Sequence, residues 1–196
     1  MQDKLSIMRQ QIRKSVRSAR KQLSHDEQHI AAQQVMHNAL QQPEIIQAKN
    51  IALFLSFDGE IDTRPLINAL WRQQKNVYLP VLHPFNAHNL LFLQYAPETP
   101  LVKNRFNIEE PPLDVRYVLP LEQLDIMMIP LVAFDNKGQR LGMGGGFYDR
   151  TLVNWQKKGF IPIGLAHDCQ QVETLPVAHW DIPLPEIITP QKIWRW

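Results

Sequence analysis

The chain has a single cysteine, Cys169, so no disulfide can form within it and packing must hold the fold, as suits a reducing cytoplasm. No apolar stretch approaches the roughly 20 residues of a membrane span. The basic start is not followed by the apolar run and small-residue cleavage site of a secretory signal. A membrane-spanning protein and a disulfide-stapled scaffold are thereby set aside. Repeats and low-complexity tracts are absent as well. The glycine cluster near residue 144 has no Gly-Lys-Ser/Thr ending, which excludes a Walker-type loop, and Phe147 stands where a dinucleotide fingerprint needs its last glycine. His25 and His29 have no third ligand nearby, His83 and His88 flank a turn, and His167, Cys169 and His179 match no zinc spacing.

What is present fits one soluble α/β domain over residues 1–196, 44% hydrophobic and 20% charged. The net charge of +2 hides an asymmetry: residues 1–24 carry seven Lys/Arg against one Asp. Such a segment calls for an anionic partner, and a nucleotide phosphate competes there with nucleic acid, lipid headgroups and plain solvation. Leu5, Met8, Ile12, Val16, Ala19 and Leu23 recur at helical spacing, which predicts a basic amphipathic helix over about 4–23 with Arg9, Arg13 and Arg17 off the apolar stripe. Ser24 and Glu27 read as a capping box opening a second helix that Pro43 ends.

Short apolar runs follow at 50–56, 77–82, 90–96, 126–134 and 161–167, each fit for a strand buried on both faces. Thr63 reads as the N-cap of a helix with Pro65 in its first turn. The 77–82 and 90–96 runs are too close for a crossover and predict an antiparallel pair. Residues 97–120 read as irregular, 147–158 as one helix, and "EIITPQKIW" as an edge strand interrupted by Pro190. Trp194 and Trp196 would pin the tail by packing. The expected architecture is a three-layer α/β/α sandwich with a mostly parallel mixed sheet and a ligand site at the carboxyl ends of its strands.

The segment "AFDNKGQRLGMGGGFYDR" carries the chemistry. Gly142, Gly144, Gly145 and Gly146 lie directly after a strand and before a helix, a pattern explained by positive φ and by backbone that must approach a ligand closely. N–H groups ahead of a helix suit a phosphate. Arg140 can add a bidentate guanidinium. Asp149 is a candidate magnesium ligand, or a helix residue complementing the dipole.

These residues resemble the signature of the 5-formyltetrahydrofolate cyclo-ligase family. The likeness extends to "RQQIRKSVRSARKQLS", "FLSFDGEIDT" and "WDIPLPEIIT". It implies a fold similar to the sugar-phosphate isomerase and CoA-transferase group, and a cytoplasmic enzyme that uses ATP and Mg2+ to cyclise 5-formyltetrahydrofolate to 5,10-methenyltetrahydrofolate. The enzyme would be a monomer or weak homodimer without nucleic-acid or membrane partners. By the same resemblance Arg9, Arg13 and the run Arg140, Leu141, Gly142, Met143, Gly144, Gly145, Gly146, Phe147 and Tyr148 hold ATP. Leu55, Glu60 and Phe106, with Gly144 to Phe147, hold folate, Asp149 and Asp181 hold the metal, and Arg140 and Asp149 act in catalysis. Met143 and Gly145 stand where some members have Lys or Arg, leaving Arg9, Arg13, Arg140 and the metal to neutralise charge. The rival expectations are a sugar-phosphate isomerase-type enzyme and a nucleic-acid module built on the first helix.

Overall fold

The computed structural model describes residues 2–86 and 89–196. His88, read above as flanking a turn, lies outside them. In chain order the elements are helices α1 (Gln2–Gln22), α2 (His25–Leu40) and α3 (Pro43–Gln47), strand β1 (Asn50–Ala52), helix α4 (Arg64–Arg72), and strands β2 (Asn76–Leu82), β3 (Leu90–Gln94), β4 (Val102–Lys103), β5 (Glu109–Glu110) and β6 (Val118–Leu119). After these come β7 (Ile126–Pro130), β8 (Ala133–Phe134), β9 (Arg140–Leu141), α5 (Phe147–Leu152), α6 (Trp155–Lys158), β10 (Ile161–Leu165), β11 (Glu186–Ile188) and β12 (Ile193–Arg195). No described helix is long and apolar enough to cross a membrane.

An eight-stranded sheet in the order β12-β11-β10-β7-β1-β2-β3-β6 forms the middle layer. The five central strands run parallel, and β12, β3 and β6 add antiparallel pairings at the two edges. The apolar runs alternate sides, as the pleat requires. Ile51, Val77, Ile126, Met128 and Ile163 face Val35, Ile45, Leu66 and Leu70 of α2 to α4, while Ala52, Met127, Ile129 and Ile187 face Leu152 and Phe160. Burying each such side chain contributes about 1.5–3 kcal/mol, and these two faces hold the expected three layers together. The capping box forms, with Ser24 and Glu27 bonding reciprocally.

Five local expectations change. The 126–134 run is no single strand. At Leu131 the chain leaves the sheet, Gln170 Nε2 donates to the Leu131 and Val132 carbonyls at 2.6 and 3.1 Å, and β8 pairs instead with β9 in a separate ribbon. The helix from Phe147 breaks after six residues, because Asn154 adopts φ 57°. The tail is two antiparallel strands, β11 and β12, with Pro190 in the turn between them, and Trp194 stacks on Trp196 there. Thr63 precedes α4 but does not cap it: its hydroxyl donates to the Phe54 carbonyl, and Asp62 accepts from Arg64 N at 3.0 Å instead. The irregular 97–120 segment contains the small β4–β5 ribbon and β6.

Helix α1 belongs to neither layer. It lies across the carboxyl ends of the strands, with Ile12 and Val16 against Val132, Ala133, Leu141 and Leu175. The apolar stripe read from the sequence faces the protein through Ile12 and Val16, with two departures. Met8 is exposed while Arg20 is fully buried, so the helix turns its arginine edge toward the protein.

Candidate active site

That buried arginine edge organises the site. Arg9 makes a bidentate pair with Asp181, Nη1 to Oδ2 at 2.5 Å and Nη2 to Oδ1 at 3.0 Å. One turn on, Arg13 Nε donates to the Gly142 carbonyl at 2.8 Å. Its guanidinium lies where a side chain on Gly144 would begin, 3.6 Å from the Cβ position. Burial lowers the Arg13 pKa and the Arg9 charge adds to this. Burial works against the Asp181 carboxylate, but Arg9 and the Ala178 N–H outweigh it and keep its pKa below the ordinary value.

Arg140 reaches the same place from β9. The β8–β9 turn that carries it is tied by Asp135, which accepts from Lys137 N, Gln139 N and Leu175 N. Arg140 is buried, and its Nη2 donates to Asp149 Oδ1 at 2.6 Å while Nε has no partner among the described residues. Burial lowers its pKa, with Asp149 and Asp181 opposing. The glycine loop runs from β9 into α5. Only Gly144 (φ 105°) and Gly146 (φ 67°) of its four glycines need positive φ. Gly145 is required for a different reason, since a Cβ there would sit 2.9 Å from the Phe147 ring. Helix α5 is too short for a strong dipole, so the expected helix-end contribution falls mainly to the arginines.

On the opposite side a tight turn presents Glu60. Asp58 and Gly59 both have positive φ, 55° and 77°, as a type I′ turn demands. The turn is fastened to α1: Asp58 takes Arg17 Nε at 2.6 Å, Arg20 Nη2 at 3.1 Å and Lys21 Nζ at 2.5 Å, and its carbonyl accepts twice from Arg20. Glu60 Oε2 then accepts from Phe57 N at 3.1 Å. Burial pushes the Glu60 pKa up to about 7, against the pull of Arg20 and the Phe57 N–H. Burial also raises the Tyr148 pKa, with the Glu60 charge adding to the shift. Behind the turn, His167 is buried, its pKa lowered to about 4 by burial and by Arg20, and its Nε2 has no partner among the described residues.

A cavity of about 900 Å³ joins these parts. Of the residues singled out in the sequence, Arg9, Arg13, Leu55, Glu60, Phe106, Arg140, Gly142 to Tyr148 and Asp149 line it. Leu141 is buried against α1, just behind the loop. Asp181 stands behind Arg9. Phe106 is 47% exposed, so core packing does not explain it. Its ring meets Phe147 edge-on at 6.2 Å, with the Arg105 guanidinium 4.9 Å above. The recorded contacts of Asp149 fall on Oδ1, whereas both Asp181 oxygens are taken by Arg9 and by Ala178 N. No three His, Cys, Asp or Glu side chains cluster as a metal site among the described residues. The sequence reading passed over Arg20, Asp58 and Trp180. An Asp-Gly pair between apolar runs was the available signal for the turn, and Arg20 stands four residues after Val16 on the same helix edge.

Comparison with known proteins agrees with this geometry. Residues 6–190 match the model of the 5-formyltetrahydrofolate cyclo-ligase family. The chain is 63% identical to the 5-formyltetrahydrofolate cyclo-ligase of Haemophilus influenzae, across 92% of this chain and 96% of that one. It is 59% identical to the Escherichia coli protein of the same name, across 92% and 100%. Among solved structures it resembles the 5,10-methenyltetrahydrofolate synthetase of Aquifex aeolicus, with a TM-score of 0.81, 30% identity and coverage of 96% and 92%. The Mycoplasma pneumoniae synthetase shares the fold, with a TM-score of 0.73 at 24% identity.

Proposed function

The chain belongs to the 5-formyltetrahydrofolate cyclo-ligase family, and on that premise we propose how its residues convert 5-formyltetrahydrofolate and ATP to 5,10-methenyltetrahydrofolate, ADP and phosphate. The observation that carries the assignment is the single cavity with an arginine-rich glycine loop on one wall and Leu55, Glu60 and Phe106 on the other. Neither rival expectation is supported. Arg9, Arg13 and Arg20 of α1 are engaged by Asp181, the Gly142 carbonyl and Asp58 rather than left free for a nucleic acid, and the relatives are cyclo-ligases rather than isomerases.

The formyl group on nitrogen 5 is an amide, so attack by nitrogen 10 would have to expel oxide or hydroxide. Transfer of the ATP γ-phosphoryl to the formyl oxygen converts that oxygen into part of a phosphate leaving group, with ADP departing. Nitrogen 10 then attacks the formyl carbon and the C–O bond breaks, releasing phosphate as the ring closes. Phosphoryl transfer asks the protein for positioning and charge neutralisation rather than a covalent nucleophile. Arg13, held to the loop by the Gly142 carbonyl, and Arg9, oriented by Asp181, reach the phosphates from α1. Arg140 approaches from β9 with its Nε still available.

Glu60 suits the pterin end, where a carboxylate can accept paired N–H bonds, and Leu55 with Phe106 supplies apolar walls. Tyr148, with its raised pKa, remains a neutral phenol. Magnesium accompanying the nucleotide would add positive charge against the phosphates. Asp149 would hold it through Oδ2, since its contacts with Arg140 and Ile182 N fall on Oδ1, whereas both Asp181 oxygens are taken by Arg9 and Ala178 N. The working compartment we assign is the cytoplasm.

The test is absorbance in the long-wavelength band of the methenyl product while protein, 5-formyltetrahydrofolate and magnesium are mixed with and without ATP. Growth of the band only with ATP is the expected result. Equal growth without ATP, or none with intact substrates, would refute the assignment.

A further inference from the structure

The residues that line the cavity fall into three groups by where the chain carries them. One is the glycine loop with Arg13, the phosphate region of the reading above. A second, on the sheet-edge side, is Leu55, Glu60, Pro80 and Phe106. The third region gathers around Arg9: Leu5 and Ser6 one turn before it on α1, and Trp180 next to the Asp181 that holds it, with Met143 of the loop. Two substrates must share this space, and they meet only at the γ-phosphoryl group. If the pterin occupies the sheet-edge region, the nucleotide extends the other way from the loop, and its base comes to rest in the third region.

That region is built for the flat face of a heteroaromatic ring. Trp180 is 51% exposed, an unusual state for the largest apolar side chain. Its ring is braced on one edge by His179, with centroids 4.6 Å apart and planes at 76°. The backbone beneath it is closed on itself, since Asp181 N donates to the Ala178 carbonyl at 3.1 Å and Ala178 N to Asp181 Oδ2 at 2.8 Å. Asp181 in turn holds Arg9, and Arg9 Nη1 also reaches the Pro176 carbonyl. One rigid turn thus presents a phosphate-binding arginine and an aromatic face side by side. Leu5 and Met143 supply apolar flanks, and Ser6 brings a hydroxyl to an edge.

We infer that Trp180, with Leu5, Ser6 and Met143, forms the nucleobase subsite, in which the purine of ATP stacks on the Trp180 indole. This rests on the cyclo-ligase reading above, and that reading is checked first by the ATP dependence of the unaltered enzyme. Given ATP-dependent turnover, Trp180→Ala is expected to raise the KM for ATP roughly tenfold to a hundredfold, the range that loss of one base–aromatic stack produces. The KM for 5-formyltetrahydrofolate should stay within about twofold, and Trp180→Phe should recover most of the ATP affinity by keeping a π-face.

Inhibition by ADP and by inorganic tripolyphosphate, which has no base, separates stacking from damage to the neighbouring Arg9–Asp181 pair. In Trp180→Ala the ADP inhibition constant should rise while that of tripolyphosphate is unchanged. An unchanged KM for ATP would overturn the inference. Equal weakening of ADP and tripolyphosphate, or a rise confined to the folate KM, would overturn it too. Each of these results would leave the cyclo-ligase activity of the parent standing.

Discussion

Replacing Asp58 by Asn tests whether the Glu60 turn is held by charge. Asn tolerates the positive φ of 55° at this position, and the main-chain carbonyl that receives Arg20 is retained, so the change removes little besides the negative charge. The Asp58 side chain is 7% exposed and faces three cations, of which Arg20 is fully buried. Burial alone would raise its pKa, yet Arg17 and Lys21 hold it at about 2 instead of 3.8. At 1.36 kcal/mol per pH unit, that difference corresponds to about 2 kcal/mol of folding stability. Because the folded-state pKa is depressed, the contribution is fully present above about pH 4 and declines as the pH falls toward 2. Arg17 and Lys21 are 39% and 55% exposed, so salt screening reduces their share, while the unneutralised Arg20 adds to the loss. Urea titrations at pH 7 should therefore place Asp58→Asn about 2 kcal/mol below the parent. At pH 3 the gap should have narrowed to roughly half. Equal stability at pH 7, or a gap unchanged at pH 3, would refute the reasoning.

Three further outcomes follow from the site. The Glu60 pKa is raised to about 7, and on the reading proposed above the ionised form is the one that would accept pterin N–H groups. The KM for folate should therefore fall as pH rises from about 6 to 8, a trend that Glu60→Gln should abolish while raising the KM overall. Without folate, a carboxyl whose folded-state pKa is raised costs stability as pH climbs from about 4.5 to 7. Thermal melts at pH 8 should accordingly find Glu60→Gln more stable than the parent, and a less stable variant would show that burial is not what shifts this group. Arg140→Ala should raise the KM for ATP on the order of tenfold to a hundredfold, the worth of a charge-assisted hydrogen bond, with a smaller effect on folate. An unaltered ATP saturation curve would contradict its place at the phosphates.

Periodicity and apolar content made the central sheet legible. Strands β7 and β10 and the β2–β3 pair fall within the runs read from the sequence, and Ser24 with Glu27 set the start of α2. The misread places are those where a distant residue decides the local course. Gln170 captures the carbonyls at 131 and 132 and ends a strand that the apolar run alone would continue. Asn154 in a left-handed conformation divides a sequence with good helical spacing. For α1, hydropathy placed Ile12 and Val16 correctly against the protein but missed the arginines that flank them. Arginines usually mark the wet face, but here Arg9 has Asp181 and Arg20 has Asp58, and neither partner is near in sequence. The glycine loop drew attention by composition and by its place between a strand and a helix, and it does line the cavity. Trp180 gave no such signal, because an isolated tryptophan near a chain end reads as packing until its exposure is known.

The pairing of Arg9 with Asp181 spans 172 positions. During synthesis Arg17, Arg20 and Lys21 can meet Asp58 early, whereas Arg9 waits for a partner made 172 positions later. Only when the segment around Asp181 leaves the ribosome can Arg9 be oriented as it is in the folded chain. A ribosome-bound chain lacking that segment can build much of the central sheet, yet on the reading proposed above its ATP site would be incomplete. On that reading the site is finished late, when the first helix and the segment around Asp181 meet.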